Sequence, residues 1–166
     1  NESVLKTYVI WTMGNLGNLS PAQIKVLLIS VLAGTLLALS RIKPLNALLM
    51  GETFSKSVGV NLRQTRVILL ASASILAGSI TAFCGPLAFI GIAVPHITRI
   101  IFGSTDHRIL VPGVLMTGSA VVLLSDILST LPGAGQIIPV NTVTSLIGIP
   151  VVLWIVAGQS GIIKRK

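Results

Sequence analysis

Long apolar runs separated by short polar stretches constrain this chain more than any other feature of its sequence. Hydrophobic residues make up 52% of the 166 residues and charged residues only 10%, with a mean hydropathy of +0.93. A helix needs about 20 apolar residues to cross a hydrocarbon core, and several runs approach that length. The runs are too many and too central to be a signal peptide. The sequence therefore predicts an all-α, polytopic membrane helical bundle.

The apolar runs divide the chain into five predicted spans within one transmembrane domain. The third span is short, since its helix would reach only about 24 Å, and Pro95 interrupts it. Such a span is tolerated inside a protein assembly and poorly against lipid. The predicted segments are an outer loop at 1–21, spans at 22–40, 67–84, 87–102, 109–128 and 140–157, a cytoplasmic loop at 41–66 and a cytoplasmic tail at 158–166. Ser20, which precedes Pro21 and the first apolar run, is the expected N-cap of the first span.

The distribution of basic residues predicts the orientation of the spans. Lysines and arginines bracket the apolar runs instead of forming one stripe, which favours membrane topology over nucleic-acid binding. In the five-span arrangement all of them except Lys6 and Lys25 fall on one side of the membrane. The positive-inside rule then places the 41–66 loop and the C-terminus in the cytoplasm and Asn1 outside. The partly polar start suggests a fragment, or the second half of a longer chain.

Residues 41–66 form the longest polar-rich interruption of the apolar pattern. Apolar residues recur there at helical spacing on both sides of Gly51, which predicts two short helices hinged at that glycine. These apolar positions are Leu45, Leu48, Leu49, Phe54 and Val58. A basic, folded loop between two spans is where a soluble partner would bind.

The ionisable residues of the loops and short span allow two interpretations each. Glu52 has no second carboxylate near it in sequence, which favours capping or partner contact over catalysis. His96, Asp106 and His107 contain ligand-type side chains, but adjacent residues in a turn do not converge on a metal as i, i+4 pairs on a helix do. The single cysteine, Cys84, excludes a Cys-based zinc site.

The interpretation that we prefer for the third span is structural. Its polar residues, together with those of the turn that follows, would pin its inner end, as paired polar groups must at membrane depth. The residues of this short-span motif are Pro95, His96, Arg99, Asp106, His107 and Arg108. Asp126, near the outer end of the fourth span, either bonds to the Gly/Pro-rich loop after it or serves a gate or docking role, with Thr130 close by.

Four stretches in chain order resemble the permease subunit of bacterial type II ABC importers, the FecCD-type family that imports iron-siderophores, haem and vitamin B12. They are WTMGNL at 11–16, PLNALLMGETFSKSVG at 44–59, GPLAFIGIAVPHITR at 85–99 with DHR at 106–108, and the stretch 139–150 leading to Trp154. The resemblance covers nearly the whole chain. It implies the C-terminal half of a permease with twice as many helices.

The resemblance implies a division of labour among partners. Two short coupling helices would sit in a cleft of a cytoplasmic ABC ATPase, and the outer loops would face a periplasmic or lipoprotein substrate-binding protein. A second permease subunit would complete a dimer in the lipid of the bacterial inner membrane. In some relatives an arginine near the outer end of the helix that matches the span at 109–128 meets an acidic residue of the substrate-binding protein. Thr130 stands at that position here, so this contact is not carried over. The implied coupling residues are Asn46, Ala47, Leu48, Met50, Gly51, Glu52, Ser55, Val58 and Gly59.

The resemblance also fixes the expected function. The chain would move a metal chelate by alternating access, without a cofactor of its own, because ATP would be bound by the partner subunit. The sequence contains no G-x-x-x-x-G-K-[ST] motif. The alternatives are a truncated or structural membrane module without transport activity, and an ion-coupled secondary carrier, for which mid-span positions carry too few charges. An intramembrane enzyme is disfavoured because no nucleophile–base pair can be assembled.

Overall fold

The computed structural model describes residues 2–14, 19–130 and 139–163, and the regular elements in these ranges are all α-helices. The all-α membrane class predicted from the sequence is confirmed. The helices are α1 Glu2–Thr12, α2 Pro21–Leu39, α3 Ile42–Leu48, α4 Glu52–Ser57, α5 Leu62–Cys84, α6 Ile90–Phe102, α7 His107–Ser129 and α8 Val140–Ile163.

Three of the described helices have the length and composition needed to cross a membrane. They are α2, α5 and α7, with mean hydropathies of 2.0, 2.1 and 1.8 over their most apolar windows. Two further apolar segments are shorter, Ile90–Phe102 and Val140–Ile155. The short helix α6 has 13 residues, fewer than the predicted span, because Phe89 before it takes a left-handed conformation with φ of 64°.

Several helix boundaries differ from the predicted segments for local reasons. The region assigned to an outer loop contains α1, whose apolar residues Val4, Leu5, Tyr8 and Val9 recur at helical spacing. Helix α5 begins at Leu62 instead of residue 67, so that its first turns include charged residues that the pattern assigned to the loop. The last helix, α8, continues beyond residue 157 to Ile163.

The start of α2 agrees with the expected N-cap at Ser20. The Ser20 hydroxyl accepts a hydrogen bond from the Gln23 amide at 3.3 Å, and the Gln23 side chain accepts one from the Ser20 amide at 2.8 Å. This reciprocal pair is a capping box, with Pro21 at the first helical position. The predicted cap is confirmed.

The chain forms two compact units. The first contains α2, α3, α4, α5 up to Phe83, and the short turn Asp106–Arg108. The second contains α1, α6, α8, and α7 from Ile109 onwards.

Within the first unit, α2 packs closely on α5 through a glycine. Gly34 is buried, and its carbonyl accepts a 2.8 Å hydrogen bond from the hydroxyl of Ser72, which is 2% exposed. A Cβ added to Gly34 would lie 2.6 Å from Cγ of Leu76. Small residues allow such close approach between membrane helices, where apolar surface alone gives no drive for association.

Within the second unit, glycines again mark the close contacts. A Cβ on Gly113 of α7 would lie 2.8 Å from the Thr98 methyl of α6, and one on Gly148 of α8 would collide with Phe89. Thr98 is fully buried, and its hydroxyl donates to the Val94 carbonyl of the preceding turn at 2.8 Å. Helix α6 therefore buries the face that carries Ala93, Val94 and Thr98, whereas Ile92, Ile100 and Ile101 remain exposed.

Candidate functional site

The polar region between α2 and α5 folds into the α3–α4 segment, residues 42–57. As the sequence predicts, two short helices flank Gly51. Gly51 has φ of 102° and ψ of 158°, and a Cβ there would meet nothing within 4 Å. The turn therefore requires glycine for its backbone conformation and not for space.

The C-terminus of α4 ends in a Schellman motif. Gly59 has φ of 82° and its amide donates to the Lys56 carbonyl at 3.0 Å, while the Val60 amide donates to the Ser55 carbonyl at 2.9 Å. Ser55 is fully buried, and its hydroxyl donates to the Gly51 carbonyl at 2.9 Å. The two backbone bonds satisfy carbonyls at the C-terminal end of α4 and give this segment a defined end, although α4 is only 6 residues long.

Large apolar side chains of the α3–α4 segment and its C-cap point away from the chain. Met50 is 70% exposed, Val58 56%, Leu49 53% and Phe54 42%. Such exposure is ordinary in an apolar span, but large apolar side chains exposed in a polar-rich segment between spans are typical of a contact surface.

Asn46 of α3 connects this segment to the turn before α7. Its amide nitrogen donates to Oδ1 of Asp106 at 2.5 Å, and its oxygen accepts from the backbone amide of His107 at 2.9 Å. The same oxygen lies 2.7 Å from Nδ1 of the His107 ring. The donors and acceptors belong to one compact unit although 60 residues separate Asn46 from Asp106.

The chemistry of the partners fixes the orientation of the Asn46 amide. A backbone N–H only donates, and an ionised carboxylate only accepts, so the oxygen must face His107 and the nitrogen must face Asp106. The Asn46 oxygen cannot donate, so Nδ1 of His107 carries the proton in this contact. All three contacts are then satisfied together.

Asp106 is the N-cap of α7. Its Oδ1 accepts the Arg108 amide at 2.8 Å, the usual contact of an acidic cap with the second helical residue. This backbone hydrogen bond, followed by that from the Asn46 side chain, lowers the pKa of the Asp106 carboxyl. The group is therefore ionised at neutral pH and pairs with the N-terminal end of the α7 dipole.

Glu52 and Arg66 join the start of α4 to the second turn of α5 by an ion pair. Both side chains are more than half exposed, so the pair contributes about 0–1 kcal/mol at most. Together with Lys56 and Arg63 they line a cleft of about 530 Å³ that carries a net positive charge. Glu52 thus has a structural partner, which the sequence pattern did not identify.

A second asparagine, Asn141, organises the region where α1, the Gly85 turn and α8 meet in the other unit. Its side-chain oxygen accepts from the Ala88 amide at 3.1 Å, and its backbone amide donates to the Met13 carbonyl at 3.4 Å. Gly14 and Gly85 both have positive φ, and a Cβ on Gly85 would collide with the Trp11 carbonyl. Three motif stretches of the sequence therefore converge here.

The remaining predicted residues lie apart from these two clusters. In α6, His96 is half-buried and Arg99 is exposed, and the described region shows neither in a side-chain hydrogen bond or ion pair. Near the end of α7, the Thr130 hydroxyl donates to the backbone carbonyl of half-buried Asp126 at 3.0 Å. The Gly/Pro-rich loop that Asp126 was expected to bond lies outside the described residues.

Sequence reasoning grouped Asp106 with His96 and Arg99, whereas the structure pairs it with Asn46. It singled out Asn46 and His107 separately, and it did not consider Asn141 as a site residue. The available signal was the presence of an asparagine in each of two motif stretches at a helix end, PLNALL and PVNTV. Among residues 2–14, 19–130 and 139–163, no three His, Cys, Asp or Glu side chains gather closely enough to hold a metal ion.

Comparison with known proteins identifies related permeases. The hemin transport system permease protein HmuU of Yersinia pestis is 35% identical over 159 residues, which cover 96% of this chain and 47% of the relative. The vitamin B12 import system permease protein BtuC of Shigella sonnei (strain Ss046) is 34% identical over 151 residues, covering 91% of this chain and 46% of the relative. The chain spans about half the length of the curated relatives it matches.

The family comparison covers the chain from its first residue through most of α8. Residues 1–158 match the FecCD transport family. This range includes the α3–α4 segment, the turn before α7, and the contacts around Asn46 and Asn141. The chain belongs to the FecCD transport family.

Proposed function

We propose that this chain forms membrane-spanning helices of an ATP-binding-cassette importer for a metal chelate of the iron-siderophore, haem or cobalamin type. Family membership supports the transport role, and the names of the relatives supply the haem and vitamin B12 alternatives. The permease would lie in the bacterial inner membrane as a multi-pass protein with a cytoplasmic C-terminus. It would act by alternating access and would not itself be an enzyme.

The observation that carries this proposal is the exposed apolar surface of the α3–α4 segment. Two helices long enough to cross a membrane, α2 and α5, bracket a folded polar segment that presents Met50 and Phe54 to its surroundings. A compact segment between two rigid helices transmits displacement to both. We infer that a separate cytoplasmic ATPase docks there, and that a substrate-binding protein and a second permease subunit complete the assembly.

The first experiment is purification of the tagged assembly that carries this chain from its native locus in mild detergent. An ATPase that co-purifies, with substrate-stimulated ATP hydrolysis in liposomes, would support the proposal. A stable chain without an ATPase would instead favour a structural membrane module. Uptake driven by an ion gradient without ATP would favour a secondary carrier.

Substitution of Gly51 tests the role of the segment within the assembly. Gly51→Val forces a branched residue into a conformation with φ of 102°, which costs about 1–3 kcal/mol and displaces α3 relative to α4. We expect loss of substrate-stimulated ATPase activity with normal membrane insertion. Gly78→Val is the matched control, because a Cβ at this α5 position meets nothing within 4 Å and no positive φ is required. Normal stimulation in Gly51→Val would contradict the docking assignment.

A further inference from the structure

The N-terminus of α7 is capped from two places in the chain. Asp106, its own N-cap, accepts the Arg108 amide, whereas the amide of His107 donates to Asn46 of α3. The first N–H groups of a helix have no partner within the helix and must find one elsewhere. For His107 that partner belongs to the α3–α4 segment.

The grouping of residues in the fold agrees with this dependence. Asp106–Arg108 belong to the compact unit that contains α3, although the residues on either side of them belong to the other unit. The bonds through the Asn46 side chain connect this turn to α3. The same side chain also satisfies the Asp106 carboxylate and the His107 ring, so that its removal would affect three contacts at once.

We propose that Asn46 is a positioning residue that completes the N-terminal cap of α7 and makes the start of α7 follow α3 when the α3–α4 segment moves. The proposal rests on the proposed function, because the docked ATPase is what would move the α3–α4 segment. Helices α2 and α5 are joined to the segment through the chain itself, and Asn46 adds α7 as a third helix that responds. Separation of α3 from this turn would break the Asn46 hydrogen bonds to Asp106 and to the His107 amide, and this cost opposes separation.

An isosteric substitution tests the link without creating a cavity. Asn46→Asp keeps the oxygen that accepts from His107 but replaces the donor that faces Asp106 with a second carboxylate oxygen. Two carboxylates at this distance repel each other and cannot share a hydrogen bond while both are ionised. Combining Asn46→Asp with Asp106→Asn removes one of the two charges and therefore the repulsion. Because Oδ1 of Asp106 makes both contacts, an amide at position 106 can either accept from Arg108 or donate to position 46, so we expect the double variant to recover only in part.

The matched control is Asn61→Asp. Asn61 accepts from the Gln64 amide at 3.0 Å as the cap of α5, and a carboxylate preserves that contact. The control introduces the same charge into the same compact unit but leaves Asn46 and His107 intact.

Two measurements in the intact assembly keep the link separate from the transport assignment. The first is amide hydrogen exchange at His107 and Arg108, which reports the cap whether or not the assembly transports anything. We expect Asn46→Asp to accelerate exchange there by about threefold to tenfold, and Asn61→Asp to leave it unchanged. The second is the amount of substrate moved per ATP in liposomes, which a change of stability alone would not alter.

The proposal expects fewer substrate molecules per ATP in Asn46→Asp, an ATPase still bound, and partial recovery of both readouts in the double variant. Unchanged amide exchange at His107 and Arg108 in Asn46→Asp would show that Asn46 does not complete the cap of α7. Faster amide exchange in Asn46→Asp with a wild-type amount of substrate per ATP would show that Asn46 does not transmit the movement of α3 to α7. A double variant whose exchange and transport equal those of Asn46→Asp would show the same. Loss of ATPase binding in Asn46→Asp would also overturn the proposal, since Asn46 would then shape the docking surface. Failure of the unaltered assembly to bind an ATPase would count against the proposed function alone.

Discussion

Replacement of Gly34 by alanine should loosen the contact between α2 and α5. The new Cβ would lie 2.6 Å from Cγ and 2.8 Å from Cδ2 of Leu76, against 3.4–4 Å for ordinary contact. Cγ is a branch point and not the flexible end of the side chain, so that Leu76 must leave its rotamer or the helices must separate. Overpacking of this kind costs about 1–3 kcal/mol, and the better helix propensity of alanine returns up to about 1 kcal/mol.

With the middle of the overpacking range, about 2 kcal/mol, the net loss is about 1–2 kcal/mol, which corresponds to a fall in melting temperature of roughly 2–8 °C for a chain of this size. The melt can be followed with a maleimide dye that fluoresces on reaction with Cys84. This thiol is 5% exposed and lies at the C-terminal end of α5, the same helix that carries Leu76. Unfolding would make it accessible.

Two further variants decide whether the overlap is the cause. Gly78→Ala places the same methyl group on α5 where nothing lies within 4 Å, and it should not lower the melting temperature. Gly34→Ala combined with Leu76→Ala removes the colliding atoms and should be less destabilised than the sum of the single variants. If Gly34→Ala has the melting temperature of the wild type, or if the losses of Gly34→Ala and Leu76→Ala simply add in the double variant, the close-contact reasoning is refuted.

Three other predictions concern polar groups. Ser72→Ala removes the hydrogen bond to the Gly34 carbonyl and should cost about 0.6 kcal/mol in the same melt; a loss larger than that of Gly34→Ala would show that the bond, and not the close contact, dominates. Ser57→Cys in a Cys84→Ala background should react in intact cells only with a permeant reagent, whereas fully buried Ser55→Cys should resist both kinds; reaction of Ser57→Cys with an impermeant reagent would reverse the orientation. Because the pKa of Asp106 is lowered on folding, its stabilising contribution is present above the usual aspartate value of about 3.9 and is lost as pH falls below it. The difference in melting temperature between wild type and Asp106→Asn should therefore not decrease between pH 8 and about 5, and a decrease within that window would contradict the assignment.

Local patterns predicted the parts of the fold that depend on neighbouring residues. The two short helices around Gly51 follow from apolar spacing, and the Ser20 cap follows from a serine before a proline and an apolar run. The start of α5 was placed too late because Arg63 and Arg66 read as loop residues. The signal that was overlooked is Asn61, which caps the helix through the Gln64 amide at 3.0 Å.

Contacts between distant residues could not be predicted in the same way. Hydropathy and spacing identify Asn46 and His107 as polar residues near helix ends, but they contain no information on which donor meets which acceptor across 61 residues. Asp106 was expected to pair with the cations of the short span. In the structure the neutral amide of Asn46 donates to the carboxylate and accepts from the His107 amide, a combination that a lysine or arginine, which only donates, cannot make.

The shared cap of α7 has a consequence for the order in which the protein is assembled. Asn46 is synthesised 60 residues before Asp106, and α4, α5 and α6 are made in between. Closing so long a stretch of chain costs little more than closing one half as long, because the entropic cost grows only with the logarithm of length. The Asn46 side chain therefore waits for its partners until α4, α5 and α6 have been made, and the N-terminus of α7 is completed only after them. A defect at Asn46 should leave insertion of the earlier helices intact and disturb folding only at the start of α7.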